Sequence, residues 1–141
     1  MHKVFVVCFM AVLGFSCSGK TENKSHEAVR YPNQDAPLAL LMREMFLDME
    51  EIKISVEEGQ SIKGYLEKYK ELLTAKPTDQ SVKTEAFQTM GMGYLANLRQ
   101  FENSSDQELL ENYKVLVNSC LACHSNYCPG PIKRINLLKL E

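Results

Sequence analysis

The sequence predicts an all-α protein, an antiparallel four-helix bundle, on three observations. Apolar residues recur at helical spacing, on one face, in four successive segments. Gly and Pro punctuate the gaps between those segments. No run of alternating β-branched residues competes with this pattern. Short connections between such helices favour up-down-up-down packing around one core.

In the first segment Leu38, Met42, Met45, Met49, Ile52 and Val56 form one stripe with Glu and Lys between them. That is the seam of a helix lying nearly parallel to its neighbours. Pro37 suits the first turn and Gly59 the stop. In the second, Ile62, Tyr65, Leu66, Tyr69, Leu72 and Leu73 share a face, and Pro77 blocks continuation. The third runs through Phe87, Met90, Tyr94, Leu98 and Phe101. The fourth opens on Ser105-Asp106-Gln107-Glu108, a capping-box pattern, and continues through Leu109, Tyr113, Leu116, Cys120, Cys123 and Tyr127. Pro129 and Pro131 end it, and the tail 129–141 keeps Ile132, Ile135, Leu137 and Leu138 to pack back on the bundle.

With 141 residues the chain has room for one domain. Apolar residues make up 45% and charged residues 24%, which excludes disorder and fibrous repeats. The formal charge of -2, without a Lys/Arg cluster among aromatics, excludes nucleic acid as a partner.

The N-terminus reads as an export signal. His2 and Lys3 precede the apolar run 4–15, too short for a stable membrane anchor. Gly14-Phe15-Ser16-Cys17 at its end has the small residue before cysteine of a bacterial lipoprotein signal, although Gly14 stands where an aliphatic residue is usual. The expectation is a signal peptide over 1–16 and lipidation of Cys17, which would hold the protein on the periplasmic side of a bacterial membrane. Residues 17–36 are polar, without helical period, and read as a tether. A flexible segment of that length spans on the order of 20–25 Å. The folded domain is then 37–128.

The chemistry concentrates in Cys120-Leu121-Ala122-Cys123-His124. C-x-x-C-H is the attachment signature of c-type haem. On a helix, residues three and four apart project from one face, so two thioethers and an imidazole reach a macrocycle from the same side. Both cysteines also fall on core positions of the fourth helix. Two other readings of the residues are a zinc site that recruits Cys128 and a dithiol module, for which no βαβ frame is present.

Position in the chain sharpens the reading. Seventeen residues follow His124 and none is Met. The stretch Cys120-Leu121-Ala122-Cys123-His124-Ser125-Asn126-Tyr127 resembles the C-x-A-C-H-x-x-Y motif of cytochrome c′ and its low-spin relatives, four-helix bundles with one covalent haem c near the C-terminus. The resemblance covers about residues 36–128. It implies His124 as proximal iron ligand, and Arg43 on helix one matches the family's helix-one arginine, a candidate contact for a haem propionate. Cys128 stands where family members commonly carry Arg.

The other histidines are His2 in the leader and His26 in the tether, which argues against bis-His ligation. In an antiparallel bundle the start of helix one lies level with the end of helix four, which sets Met42 and Met45 at haem height. Low-spin relatives carry Met on the inner face of helix one, so the resemblance implies Met42 as distal ligand, with Met45 second. The plain alternative is that these methionines only fill the core. Met90 reads as wall, and the glycines beside it as room for the macrocycle. Cys128 is either buried against the tail or joins two copies in a homodimer.

The leading expectation is a one-electron carrier with His/Met ligation, not an enzyme, that docks redox partner proteins. The second is a five-coordinate haem protein binding NO or CO. No general base pair or oxyanion device can be named.

Overall fold

The computed structural model describes residues 36–60 and 64–141. The predicted leader, Cys17 with its lipidation, the tether up to residue 35, and Ile62 lie outside the described residues. All regular structure among the described residues is helical, with no strand. Helix α1 is Pro37–Glu57, and α2 is Tyr65–Tyr69, running on as a 3-10 turn over Lys70–Leu73. A second 3-10 turn, Gln80–Val82, leads to α3, Glu85–Glu102. Helix α4 is Leu109–Tyr127, and α5, Ile132–Ile135, is followed by a 3-10 turn at Asn136–Leu138. No described helix is long and apolar enough to cross a membrane.

Helix α1 begins with Pro37 in its first turn. It ends where Gly59 takes a φ of 71° and gives its N–H to the Val56 carbonyl at 3.0 Å. Glycine enters that left-handed region without a Cβ penalty. The buried stripe is Leu38, Leu41, Met45, Met49, Ile52 and Val56. Leu41 takes the place expected of Met42, which is half-buried. At about 100° per residue, these two fall on opposite edges of the stripe, so a heptad count alone does not choose between them.

The second helix is shorter than its apolar period suggests, because the backbone tightens to 3-10 after Tyr69. Both ends of this segment are secured by residues distant in sequence. The Glu102 carboxylate, at the end of α3, accepts from the N–H groups of Gly64, Tyr65 and Leu66 at 3.2, 2.7 and 3.0 Å. At the far end the Lys83 ammonium donates to the carbonyls of Leu72 and Leu73 at 3.3 and 3.0 Å, and the Gln88 amide donates to Leu73 at 3.1 Å. Orphan groups at helix ends need such partners. The Tyr65 hydroxyl donates to Glu51 at 3.3 Å, while farther along α2 the Lys68 ammonium reaches Asp48 at 2.6 Å and Glu44 at 2.9 Å and the Tyr69 hydroxyl donates to Asp48, so α2 runs antiparallel to α1.

Thr84 caps α3 by accepting from the Phe87 N–H at 3.1 Å. Contacts between α3 and α4 pair early residues of one with late residues of the other. Phe87 meets Tyr127 at 5.5 Å, Asn97 donates to Ser119 at 2.7 Å, and Phe101 meets Tyr113 at 6.3 Å. These two helices are therefore antiparallel. The expected capping box of α4 forms differently. Ser105 hydroxyl donates to the Glu108 carboxylate at 2.8 Å, while the Glu108 N–H bonds the Ser105 carbonyl at 3.0 Å. That closes a separate turn, and α4 begins only at Leu109.

One core holds the assembly, and Tyr69, Leu98, Phe101, Tyr113 and Leu116 are fully enclosed in it. Enclosing one such side chain contributes about 1.5–3 kcal/mol. After Pro129 and Pro131 the tail returns to the core, with Ile135 and Leu138 buried. The Tyr113 hydroxyl donates to the Leu138 carbonyl at 2.6 Å, the Lys53 ammonium to Leu137 at 2.9 Å, and the Arg134 guanidinium stacks 4.1 Å from the Phe46 ring centre.

Candidate functional site

A single small cavity, about 40 Å³, gathers most of the residues that the sequence marks as chemical. From α4 it is bordered by Ser119, Cys120, Cys123 and His124. Across from them α1 contributes Met42 and Met45, α3 contributes Phe87, Met90, Gly91 and Tyr94, and the turn after α2 contributes Leu72. The helical spacing of three and four residues accounts for the common face of Cys120, Cys123 and His124.

His124 is held by the end of its own helix. Its Nδ1–H donates to the Cys128 carbonyl at 2.9 Å, while the Cys128 N–H returns a bond to the His124 carbonyl at 3.1 Å. A carbonyl only accepts, so Nδ1 carries the hydrogen, and in the neutral ring Nε2 is the nitrogen with a lone pair for another partner. Pro129 arranges this locally. A residue before proline is kept out of the helical region, and Cys128 takes an extended φ of -153°. Sequence reading missed this contact, although the Cys128-Pro129 pair four residues beyond His124 is its signal.

Tyr127 fastens the same end of α4. Its ring meets Phe87 edge-on at 82°, and its hydroxyl shares a hydrogen bond with the Thr84 hydroxyl at 2.8 Å. Phe87 thus touches both the cavity and the motif's tyrosine.

Cys120, Cys123 and Cys128 are free thiols. Burial pushes the Cys120 thiol up to about 12, and it pushes Cys123 upward as well. Removal from water disfavours the thiolate, so both cavity cysteines are neutral at ordinary pH. Cys128 itself is exposed, which corrects the expectation of a cysteine buried against the tail.

Tyr94 is buried against the cavity, and its hydroxyl has no hydrogen-bond partner. Burial also holds this phenol well above its usual range, with the Cys120 thiol a further contributor, so it remains a donor. An unpartnered buried hydroxyl costs about 1–3 kcal/mol.

Two expectations fare differently. Arg43 is half-buried on α1 beside Met42 and does not border the cavity. Gly91 does not leave open room, because a Cβ there would stand 2.7 Å from Leu73 Cδ2. The space that glycine frees is occupied by that leucine. Met90 does stand in the wall.

Among the described residues no group of three or more His, Cys, Asp or Glu side chains converges closely enough to hold a metal ion. A larger groove of about 290 Å³ lies between α4 and the tail, but its lining, Tyr113, Lys114, Val117, Asn118, Lys139 and Leu140, offers no thiol or imidazole. The small cavity is therefore the chemical one.

The donor set suits an iron porphyrin, with one oriented imidazole, two thiols on the same face, and thioether sulfurs opposite on α1. The volume is another matter. Pockets for drug-sized ligands measure roughly 300–1,000 Å³, so the walls must part for a macrocycle to enter. No protein-family model, curated protein or solved structure matches this chain.

Proposed function

We propose that this protein is an exported c-type cytochrome of cytochrome c′-like four-helix architecture, carrying one covalent haem c and transferring single electrons to redox partner proteins. The observation that carries the reading is the shared cavity. Cys120, Cys123 and His124 meet there with Met42 and Met45, and His124 has its Nδ1–H tied to Cys128.

Cys120 and Cys123 would hold the group as thioethers, and His124 Nε2 would bind the iron. Met42 is the proposed ligand on the other side, with Met45 second. Arg43 is the proposed propionate contact, reached by a swing of its side chain. Haem iron supplies a one-electron couple whose potential the axial ligands and their hydrogen bonds adjust. The Nδ1–H bond to Cys128 raises the donor strength of Nε2 and fixes the ring plane. A zinc module fits less well, since zinc needs several thiolates and imidazoles to converge.

Attachment belongs to the open chain. Neutral, half-buried thiols around a cavity of about 40 Å³ are poorly placed to react once the helices have packed. The proposal includes export and a lipid anchor on Cys17 at the periplasmic face, which rest on the sequence of residues 1–17.

Absorption spectra of the oxidised and reduced protein, produced with a cytochrome c assembly system, test the ligand set. Low-spin spectra in both states, converted to high-spin by Met42→Ala, are the expected result. A high-spin parent that binds CO rapidly would replace the electron-carrier reading by gas binding at an open iron face. A parent spectrum unaltered by Met42→Ala would remove Met42 as ligand.

A further inference from the structure

We propose that Tyr94 is a positioning residue of the haem site, its hydroxyl donating a hydrogen bond to the ligand on the side of the iron opposite His124. The inference rests on the haem reading given above. Its starting point is an imbalance in the structure: the Tyr94 hydroxyl is enclosed, borders the same cavity as Met42, Met45 and Cys120, and has no partner. Buried polar groups in native proteins are nearly always paired. Nearby acceptors are already engaged. Asp48 takes bonds from Tyr69 and Lys68, and Glu102 takes three backbone N–H groups.

A phenol carries a donor and an acceptor. Of the other polar side chains on the cavity wall, Ser119 is bonded to Asn97 and to the Val115 carbonyl, and His124 Nε2 is the proposed iron ligand, which leaves a thioether sulfur of Met42 or Met45, or a bound diatomic, as the acceptor. With that acceptor bound to iron, the positive end of the Tyr94 O–H dipole would oppose the extra positive charge of the ferric state. Tyr94 therefore favours the ferrous state, and its removal lowers the reduction potential.

Two measurements on Tyr94→Phe test this. The substitution keeps the ring that packs against Tyr69 at 6.4 Å and deletes only the hydroxyl. In the covalently loaded full chain, the midpoint potential is expected to fall while the attached haem and its spin state are retained. In the same chain produced without haem, the urea midpoint is expected to hold or rise, because an unpartnered hydroxyl has been removed. A double-mutant cycle with Met42→Ala should show that the two potential shifts are not additive. A loaded Tyr94→Phe protein with an unchanged potential would overturn the inference and leave the haem reading intact. A parent chain that never acquires haem would overturn both.

Discussion

Replacing Glu102 by alanine should loosen the segment that walls the cavity. Glu102 is 9% exposed and its Oε1 accepts three N–H groups at the start of α2. Loss of an ordinary N-cap costs about 0.5–2 kcal/mol, and each buried donor left without a partner costs about 1–3 kcal/mol. Water reaches part of this site once the side chain is gone, so the sum is about 2–4 kcal/mol. That is a large share of the 5–15 kcal/mol typical of a domain. Glu102→Gln keeps one acceptor oxygen but loses the charge, and should cost roughly half as much, since bonds to charged groups are about twice as strong. Urea unfolding measures the global term, and amide exchange over 64–73 measures the local one. Because Leu72 closes the cavity from this segment, the alanine variant should also expose Cys120 to thiol reagents faster. A cost below about 0.5 kcal/mol, or unchanged exchange at residues 64–66, would refute the claim that Glu102 anchors α2.

Three further outcomes are expected of the chain without haem. Thiol alkylation at pH 8 should proceed in the order Cys128, Cys123, Cys120, since Cys128 is exposed while burial pushes Cys120 up to about 12; peptide mapping during the reaction checks the order. Unfolded, the Cys120 thiol titrates near 9.0, so above that pH the unfolded chain binds fewer protons than the folded one. The Cys120 contribution to stability is then complete below pH 9 and is lost as pH rises toward 12, and the fall should shrink once Cys120 is alkylated; thermal unfolding across that range reads it. Tyr113→Phe removes the bond to the Leu138 carbonyl and should cost about 1–2 kcal/mol by urea unfolding, the worth of a buried hydrogen bond with its acceptor left unpaired.

Much of the helical organisation was legible because burial follows the apolar period. Leu38, Met45, Met49, Ile52 and Val56 on α1, and Phe87, Tyr94, Leu98 and Phe101 on α3, were read from spacing and are buried. Edge positions were not legible, as the exchange of Leu41 for Met42 illustrates. The ends of α2 escaped notice because their caps, Glu102 and Lys83, come from other parts of the chain. Spacing put Cys120, Cys123 and His124 on one face, and the expected antiparallel packing of the first and fourth helices put Met42 and Met45 level with them; all five border the cavity. What spacing does not encode is the satisfaction of polar atoms. The His124–Cys128 bond and the lone Tyr94 hydroxyl depend on how α3 and α4 meet and how Pro129 bends the chain.

The central claim is that Cys120 and Cys123 bind haem covalently. Expressing the full chain in an exporting host together with a cytochrome c assembly system, then denaturing it and measuring the mass of the peptide holding residues 120–124, tests that claim most directly. One haem is expected to be retained on this peptide through both cysteines, and to be lost when Cys120 and Cys123 are both replaced by serine. A peptide of unmodified mass with two free thiols from the parent chain would contradict it.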